Sequence, residues 1–371
     1  MTKLAIVRQK YRPDGGAEKI IARTLKGLEN LDLDISVISS SWPEGNNQYN
    51  HIEAKTSGIT RKGKAKSFYH SVQDVLKQNT FDIVQSHERI VGCDIYRAGD
   101  GVHREWLNIK AKTSNKIANL ATKYDGFHQF ILGCEKEMFE SQSLQRVICI
   151  STLVKENIAN HFDIAEQKLV TITNGIDCSR YQPSDDKQIS KQEVGFNPND
   201  RIVLYVGSGF ERKGVSDLIM AAKLLPKHYH VVIVGHDKKL KHYQQQATQI
   251  KSGAKITFLG KRNDVAKLMQ ASDLLVHAAH YEPFGNVVLE AMASGIGVIT
   301  STQTGAKDLV DVGENGYICE TYSAESIADN ILKFDNDSDV FKLGQAARIK
   351  AEQQTISSMI TDMQALYTSL V

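Results

Sequence analysis

Two acidic residues with a fixed spacing stand out in the second half of the chain. Glu282 and Glu290 are separated by seven residues within the segment Ser272–Ile299, which reads SDLLVHAAHYEPFGNVVLEAMASGIGVI. A carboxylate can accept hydrogen bonds from two hydroxyl groups at once, which suits a sugar or a ribose diol. A solvated loop residue and a surface helix residue would show the same spacing, so the pair alone leaves both interpretations open.

A basic pair offers the complementary charge. Arg212 and Lys213 lie in the glycine-bounded segment 207–214, GSGFERKG, directly after an apolar run. Breaking a sugar–phosphate bond leaves negative charge on a nucleoside diphosphate, and paired guanidinium and ammonium groups neutralise it without a metal ion. Because no DxD-type motif is evident, we expect no metal cofactor. An ordinary basic surface pair is the alternative.

The segment around Glu282 predicts the elements that would hold these groups. Residues 274–279 have the length and composition of a buried strand, and Pro283 disfavours helix at the residue before it. A short helix is expected from Asn286 to the stop at Gly295, followed by a strand from Gly297. Glu282 then lies beyond the carboxyl end of a strand, where open α/β sheets bind ligands. The helix start, at Phe284, Gly285 and Asn286, offers backbone N–H groups to a sugar or phosphate.

The rest of the chain repeats this alternation of strands and helices. At 371 residues it is long enough for about two domains at roughly 150 residues each, and we predict two Rossmann-like α/β domains facing across a cleft. The boundary is placed at about Thr173, giving domains 1–173 and 174–354, with linker composition over 179–200. The net charge of +2 does not indicate nucleic-acid binding. Five scattered cysteines, no apolar run of membrane-span length and no signal-peptide pattern favour the cytoplasm.

The first domain carries weaker candidates. Gly15 and Gly16 fall between the first strand and its helix, where a glycine pair lets backbone approach a ligand or simply makes a tight turn. Asp100 lies between two glycines where a strand is expected to end. It is our candidate for the acceptor side, with a structural loop acid as the alternative; His87 and His103 rank behind it.

Two basic segments are candidates for an anionic membrane surface. Residues 61–66 read RKGKAK, which solvated loops also show. Residues 104–123 interleave four lysines with apolar residues and predict a basic amphipathic helix or a pair of helices. A solvated face packed on its own domain is the alternative for the second segment.

The motif EPFG-x4-EAMA-x-G resembles the signature of retaining, nucleotide-sugar-dependent glycosyltransferases of family four, which have the GT-B fold. The resemblance implies that Glu290 binds the donor ribose, that Glu282 binds the transferred hexose and that Arg212 and Lys213 bind the diphosphate. It further implies a loop with Lys261 and Arg262 beside the base, a donor-facing loop at Gly15, Gly16 and Glu18, and a C-terminal helix within about 355–371 that packs back on the first domain. Asp100 would orient the attacking hydroxyl or stabilise positive charge on the sugar ring. One departure is Gly297, where the family often has proline.

Longer stretches narrow the resemblance. GSGFERKGV, GKRNDV-x-KLMQASDLLVH and the early Y-RPDGGAEK are most similar to the lipopolysaccharide core glucosyltransferase I group. This implies transfer of glucose from UDP-glucose onto a lipopolysaccharide core or related lipid-linked glycan at the inner face of the cytoplasmic membrane. Galactose, N-acetylglucosamine and mannose remain open as the donor sugar. Two other classes also remain open, a UDP-N-acetylglucosamine 2-epimerase-like enzyme and a non-catalytic nucleotide-sugar-binding protein.

Overall fold

The structure, a computed structural model, describes residues 1–10, 21, 24–29, 32–42 and 49–370. Gly15, Gly16 and Glu18 lie outside these described residues. The chain divides into two compact units: residues 1–174 together with 356–371 form the first, and residues 175–355 form the second.

The first unit is built on a parallel sheet of seven strands in the order β3-β2-β1-β4-β5-β6-β7. Its strands are β1 (Thr2–Val7), β2 (Leu33–Ser39), β3 (Asn50–Glu53), β4 (Ile83–Ser86), β5 (Ile95–Arg97), β6 (Arg146–Cys149) and β7 (Leu169–Thr171). The described helices of this unit are Arg61–Gln78, His103–Thr113, Lys116–Tyr124, Gly126–Phe139, Thr152–His161 and Ile356–Thr368. The strand order reverses between β1 and β4, so a ligand crevice is expected at the carboxyl ends of these two strands.

The second unit repeats the architecture with six parallel strands in the order β10-β9-β8-β11-β12-β13. Its strands are β8 (Arg201–Val206), β9 (Tyr229–Val234), β10 (Lys255–Gly260), β11 (Leu274–His277), β12 (Gly297–Ser301) and β13 (Gly316–Cys319). Its α-helices are Lys187–Glu193, Val215–Ala222, Leu240–Thr248, Val265–Gln270, Asn286–Ala293, Ala324–Leu332 and Asp337–Glu352. Here the order reverses between β8 and β11, the two strands that lead into the loops with the predicted charged residues. The prediction of two Rossmann-like domains is confirmed.

Each unit has its own apolar core, and the C-terminal helix belongs to the first. Met359, Ile360 and Met363 of the helix Ile356–Thr368 are buried against strand residues of the first sheet. The Tyr367 hydroxyl donates to Gln85 Oε1 at 2.8 Å, which satisfies both buried polar groups.

Two segments differ from the sequence-based interpretation. Residues 61–66 are not a loop but the first turns of the helix Arg61–Gln78, because Thr60 caps the helix by accepting from the Gly63 N–H at 3.0 Å. The segment 179–200, which has linker composition, contains the helix Lys187–Glu193, capped by Asp186.

The basic segment 104–123 agrees with its prediction. It forms two helices, His103–Thr113 and Lys116–Tyr124, with Asn115 capping the second.

Candidate active site

The loop after β8 is shaped by a glycine at its end. Gly214 has a φ of 70°, and a Cβ at this position would lie 2.0 Å from the carbonyl oxygen of Ala278. Only glycine therefore permits the two loops that follow β8 and β11 to approach this closely. Backbone contact joins them, since the His280 N–H donates to the Arg212 carbonyl at 2.8 Å. This approach brings Arg212 and Lys213 to the loop that carries Glu282.

The loop after β11 is held from its other side by the loop after β12. The Glu282 N–H donates to the Gln303 carbonyl at 2.9 Å, and the Gly305 N–H donates to the Glu282 carbonyl at 2.8 Å. The Ala306 N–H donates to the Phe284 carbonyl at 2.7 Å. Gly285 then adopts a φ of 96° and opens the helix Asn286–Ala293. The backbone on both sides of the Glu282 side chain is fixed in this way.

Both cations converge on a single oxygen of Glu282. Lys213 Nζ lies 2.9 Å and Arg212 Nη1 lies 3.2 Å from Glu282 Oε2. Arg212 Nη1 also donates to the Tyr281 carbonyl at 2.5 Å, which fixes the guanidinium. The Glu282 side chain is 15% exposed and that of Lys213 16%, so the pair is poorly screened by solvent. The cluster carries one net positive charge at the carboxyl edge of the sheet.

Electrostatics keep the Glu282 carboxylate ionised. Burial alone would raise the pKa of Glu282, but Lys213, His277 and Arg212 together hold that pKa well below its usual range. His277 is fully buried, with its Nε2 3.6 Å from Glu282 Oε2. Burial lowers the pKa of His277, and the cations Lys213 and Arg212 lower it further although Glu282 opposes them. A neutral imidazole therefore lies beneath the carboxylate.

Tyr205 completes the floor of this cluster. Its ring is stacked on that of His277, with centroids 6.4 Å apart and planes 13° apart. Its hydroxyl is buried, and neither this oxygen nor the two ring nitrogens of His277 forms a hydrogen bond within the described part of the protein. Nothing in the sequence singled out these two residues, because a Tyr inside one strand and a His ending another have the pattern of core residues.

The other donor residues predicted in the second unit follow strands at the same edge of its sheet. Phe284 is buried and precedes the helix start at Asn286, while Glu290 lies one turn further along that helix and is partly exposed. Arg262 follows β10 and is held by Asp264, with Nε 2.8 Å from Oδ1 and Nη2 2.6 Å from Oδ2. Asp264 takes the N-cap position of the helix Val265–Gln270, but its side chain pairs with Arg262 instead of capping.

Asp100 lies at the corresponding edge of the first sheet. It follows β5, and its Oδ2 is 3.4 Å from Arg8 Nη1. Arg8 follows β1 and also lies 3.5 Å from Glu88 Oε1, which follows β4. Glu88 and Arg8 were missed in the sequence because neither belongs to a recognisable motif. Their positions just after β4 and β1, the switch-point strands, were the only available indication.

The two weaker candidates for the acceptor side, His87 and His103, lie in different surroundings. His87 is buried and bonds to Gln85, and burial together with Arg97 and Arg8 lowers its pKa well below the usual range. His103 lies at the start of the helix His103–Thr113, with its Nε2 3.1 Å from His128 Nδ1. Burial, Arg89, His128 and Arg61 lower the pKa of His103 to about 3, so its imidazole is neutral near pH 7.

Two properties of the described residues bear on the predictions about metal ions and membranes. In the part of the chain that the structure describes, no group of three or more His, Cys, Asp or Glu side chains is arranged to hold a metal ion. None of the helices there combines the length and apolar composition needed to cross a bilayer.

Comparison with protein families covers both units. The model of the family Glycosyl transferases group 1 matches residues 186–354, and that of Glycosyltransferase Family 4 matches residues 14–180. The chain belongs to the GT-B glycosyltransferases. The Glu282–Arg212–Lys213 cluster of this glycosyltransferase lies within the first match and Asp100 within the second.

Individual relatives extend the comparison to nearly the whole chain. Lipopolysaccharide glucosyltransferase WaaG of Escherichia coli K12 is 27% identical over 340 residues, covering 89% of this chain and 88% of the relative. A crystal structure of WaaG, described as a glycosyltransferase involved in lipopolysaccharide biosynthesis, superposes with a TM-score of 0.81 at 24% identity, over 97% of this chain and 98% of that one. HepE of Anabaena, solved in complex with UDP-glucose, has a TM-score of 0.75 at 19% identity over the full length of both chains.

Proposed function

We propose that this glycosyltransferase moves a hexose from a nucleotide diphosphate sugar, most specifically glucose from UDP-glucose, onto a lipopolysaccharide core or related glycan. The observation that carries the proposal is the convergence of Arg212 and Lys213 on Glu282 Oε2 at the switch point of the second sheet. The name of the E. coli relative and the UDP-glucose complex of HepE support glucose as the sugar and UDP as its carrier.

The cluster provides both charges that the reaction needs. As the bond between the sugar and the diphosphate breaks, negative charge grows on the leaving phosphate, and Arg212 and Lys213 are the cations that neutralise it. A diphosphate paired with these cations would release Glu282 Oε2 to accept from hexose hydroxyls. Glu290 is assigned to the ribose hydroxyls, and the backbone at Phe284, Gly285 and Asn286 to sugar or phosphate. Arg262 and Lys261 are assigned to the side of the base.

Retention of configuration and independence of metal ions are part of this proposal. The leaving phosphate oxygen takes the proton of the acceptor hydroxyl on the same face of the sugar, so the reaction requires no carboxylate nucleophile. Asp100 is assigned to the acceptor side, where it orients the attacking hydroxyl or stabilises positive charge on the sugar ring. Gly15 and Gly16 are assigned to the donor diphosphate from the family motif alone.

Product analysis tests this function. The full chain is incubated with UDP-glucose labelled in the sugar, with and without heptose-terminated lipopolysaccharide, in the presence and absence of EDTA. Transfer of label to the glycan, unaffected by EDTA, is expected. Release of a free altered sugar would indicate an epimerase, no turnover would indicate a binding protein, and loss of activity that Mg²⁺ or Mn²⁺ restores would contradict metal independence. A screen of UDP- and GDP-sugars identifies the donor.

Attachment to the cytoplasmic face of an anionic membrane is the second part of the proposal. On the helix Lys116–Tyr124, the side chains of Ile117, Leu120 and Tyr124 are 81%, 57% and 73% exposed and lie on one face by their spacing. The lysines of segments 61–66 and 104–123 add positive charge to the same unit, and exposed apolar side chains combined with lysines favour anionic lipid surfaces.

Vesicle sedimentation tests the membrane proposal. Wild type is expected to bind vesicles containing phosphatidylglycerol and to bind neutral phosphatidylcholine vesicles weakly. Replacing Ile117 and Leu120 with serine should release the protein from anionic vesicles, whereas the same pair of changes at exposed Phe341 and Ile349 serves as the control. Equal binding by the Ile117/Leu120 variant would contradict this surface.

A further inference from the structure

Several buried polar atoms beneath Glu282 form no hydrogen bond within the described part of the chain. They are both ring nitrogens of His277, which ends β11, and the hydroxyl oxygen of Tyr205 in β8. The hydroxyl oxygen of Thr300, the uncharged residue of β12 that pairs with His277, is in the same condition. Leaving buried polar atoms unpaired is costly, so a cluster of them indicates a partner that is gained in another state of the protein.

His277 is placed to become a hydrogen-bond partner of Glu282. Its Nε2 lies 3.6 Å from Glu282 Oε2, just beyond the range of a hydrogen bond. The same oxygen is held by Lys213 Nζ at 2.9 Å and by Arg212 Nη1 at 3.2 Å. The ring of Tyr205, stacked on the imidazole with planes 13° apart, limits rotation of the imidazole. A movement of less than about 1 Å would therefore turn the contact with Glu282 into a hydrogen bond.

Binding of a sugar diphosphate changes the charge around this oxygen. Arg212, Lys213 and Glu282 together carry one net positive charge in a place that is only partly exposed to solvent. The diphosphate of UDP-glucose carries about two negative charges, so the complex would have an excess of one negative charge. Once both cations turn to the diphosphate, Glu282 Oε2 loses its two partners, and an unpaired buried charge is costly. His277 Nε2 is the nitrogen that remains beside it.

The groups that face His277 determine how readily it takes up a proton. They are Tyr205, Arg212 and Lys213 on the β8 side and Glu282 in the loop after β11. Burial lowers the pKa of His277, Glu282 raises it, and Lys213 and Arg212 lower it further. Burial raises the pKa of Tyr205 well above its usual range, so its hydroxyl stays neutral. A diphosphate neutralises the two cations and leaves Glu282, which shifts the pKa of His277 upward.

We propose that His277 takes up a proton from solvent when the donor binds, and that the resulting imidazolium holds the Glu282 carboxylate in place for the hexose hydroxyls. The imidazole gains the proton that water or buffer loses, and no other bond changes. His277 is thus a positioning residue that acts through Glu282. The inference rests on the proposed function because it requires a diphosphate bound to Arg212 and Lys213.

Calorimetry of UDP-glucose binding to the full chain, without acceptor, tests this proton uptake. Titrations at pH 7 in buffers of different ionisation enthalpy give the number of protons exchanged, and UDP-glucose has no group that titrates near this pH. Wild type is compared with His277→Gln. His230→Gln is the matched control, because His230 is also buried but lies near the start of β9, at the opposite edge of the same sheet. Thermal unfolding of each variant is measured in parallel.

Wild type and His230→Gln are expected to take up about half a proton or more per donor bound. Between about pH 8 and pH 6 their dissociation constants should fall about tenfold, which corresponds to about 1.4 kcal/mol. The dissociation constant of folded His277→Gln should change less than about threefold over the same range. No proton uptake by wild type, or undiminished uptake by folded His277→Gln, would overturn the proposal.

NMR of the histidine rings in wild type provides the test should His277→Gln not fold. The shifts of isotope-labelled ring nitrogens distinguish a neutral imidazole from an imidazolium. One histidine should change from the neutral to the charged form when UDP-glucose is added, and this change should persist in His280→Gln, which removes the other histidine near Glu282. No change of any histidine, or loss of the change in His280→Gln, would overturn the assignment to His277.

Lys213→Met separates this inference from the proposed function. Weaker binding of UDP-glucose by Lys213→Met, together with proton uptake by wild type, would support both. No binding by wild type, or binding that does not depend on Lys213, would reject the proposed donor site and the inference with it. Binding that depends on Lys213 but takes up no proton would reject the role of His277 alone and leave the proposed function standing.

Discussion

Replacing Glu282 with glutamine removes the negative charge that holds Arg212 and Lys213 and retains the size of the side chain. In the proposed complex the same carboxylate accepts from hexose hydroxyls, and a hydrogen bond to a charged group contributes about 1.5–3 kcal/mol. At about 1.4 kcal/mol per factor of ten, loss of one such bond lowers kcat/KM roughly 10- to 150-fold. Initial rates of transfer from UDP-glucose, measured over a range of donor concentrations, give this ratio.

The same substitution has a separate cost in stability. Glu282 is 15% exposed and faces two cations and the buried His277, so its loss leaves Arg212 and Lys213 close together without their anion. Breaking a fully buried ion pair typically lowers the free energy of unfolding by about 3–5 kcal/mol. Because Arg212 is 35% exposed and partly screened by solvent, we expect a smaller loss of about 1–3 kcal/mol here. Urea unfolding of the purified variant measures this difference.

A carboxylate in the neighbouring loop provides the matched control. Glu211 is 68% exposed and pairs with Lys239 at 3.0 Å, so Glu211→Gln should leave both activity and stability nearly unchanged. Wild-type kcat/KM in a folded Glu282→Gln protein would refute the assignment of Glu282 to the donor. An equal loss of kcat/KM in Glu211→Gln and Glu282→Gln would show that the effect comes from the change in net charge and not from this site.

Three further predictions concern other parts of the molecule. Gly285→Ala should destabilise the second unit by about 1–3 kcal/mol in urea unfolding, because φ is 96° there and a Cβ would lie 3.2 Å from Thr304 Cγ2; unchanged stability would contradict this backbone argument. Asp100→Asn should reduce transfer more than tenfold, about 1.4 kcal/mol, without changing hydrolysis of the donor, and normal transfer by a folded variant would exclude Asp100 from the acceptor side. The pKa of His103 is lowered to about 3 in the folded protein, whereas it is about 6.5 in the unfolded chain. Below about pH 6.5 the unfolded state therefore binds one more proton at this residue than the folded state does, so the stability of the fold decreases as pH falls. His103→Gln should therefore lose less stability than wild type between about pH 7 and pH 4, as urea midpoints at each pH will show.

Local patterns predicted the elements around Glu282 closely. The structure contains the predicted helix as Asn286–Ala293, between the break at Pro283 and the stop at Gly295. Gly295 follows this helix with a φ of 68°. These features are predictable because each is determined by a few neighbouring residues: an apolar run, a proline and a glycine. The sequence likewise placed Arg212 and Lys213 after a strand.

Contacts between distant segments could not be predicted in the same way. That Lys213 and Glu282 meet at 2.9 Å depends on Gly214 fitting under the Ala278 carbonyl, and no local pattern reports such an approach. The same holds for Arg8, Glu88 and Asp100, which lie far apart in the chain and are joined only by the strand order of the first sheet. The basic segment 61–66 resembles a loop in sequence because its charges conceal the helical period, which begins to show only at Phe68.

Function was predicted from motif resemblance more than from residue chemistry. The spacing of Glu282 and Glu290 would not by itself have distinguished a sugar site from a protein surface, whereas EPFG-x4-EAMA-x-G indicated the family that the comparisons then established. The residues beneath the site, Tyr205 and His277, entered only with the structure, because their buried polar atoms become noticeable once their surroundings are known.

The most direct test of the donor site is a crystal structure of the protein with UDP-glucose bound. In that structure we expect diphosphate oxygens within hydrogen-bond distance of Arg212 and Lys213, with the Glu282 carboxylate turned to the hexose hydroxyls. A donor bound elsewhere, with Lys213 still paired to Glu282 and both far from the diphosphate, would contradict this expectation.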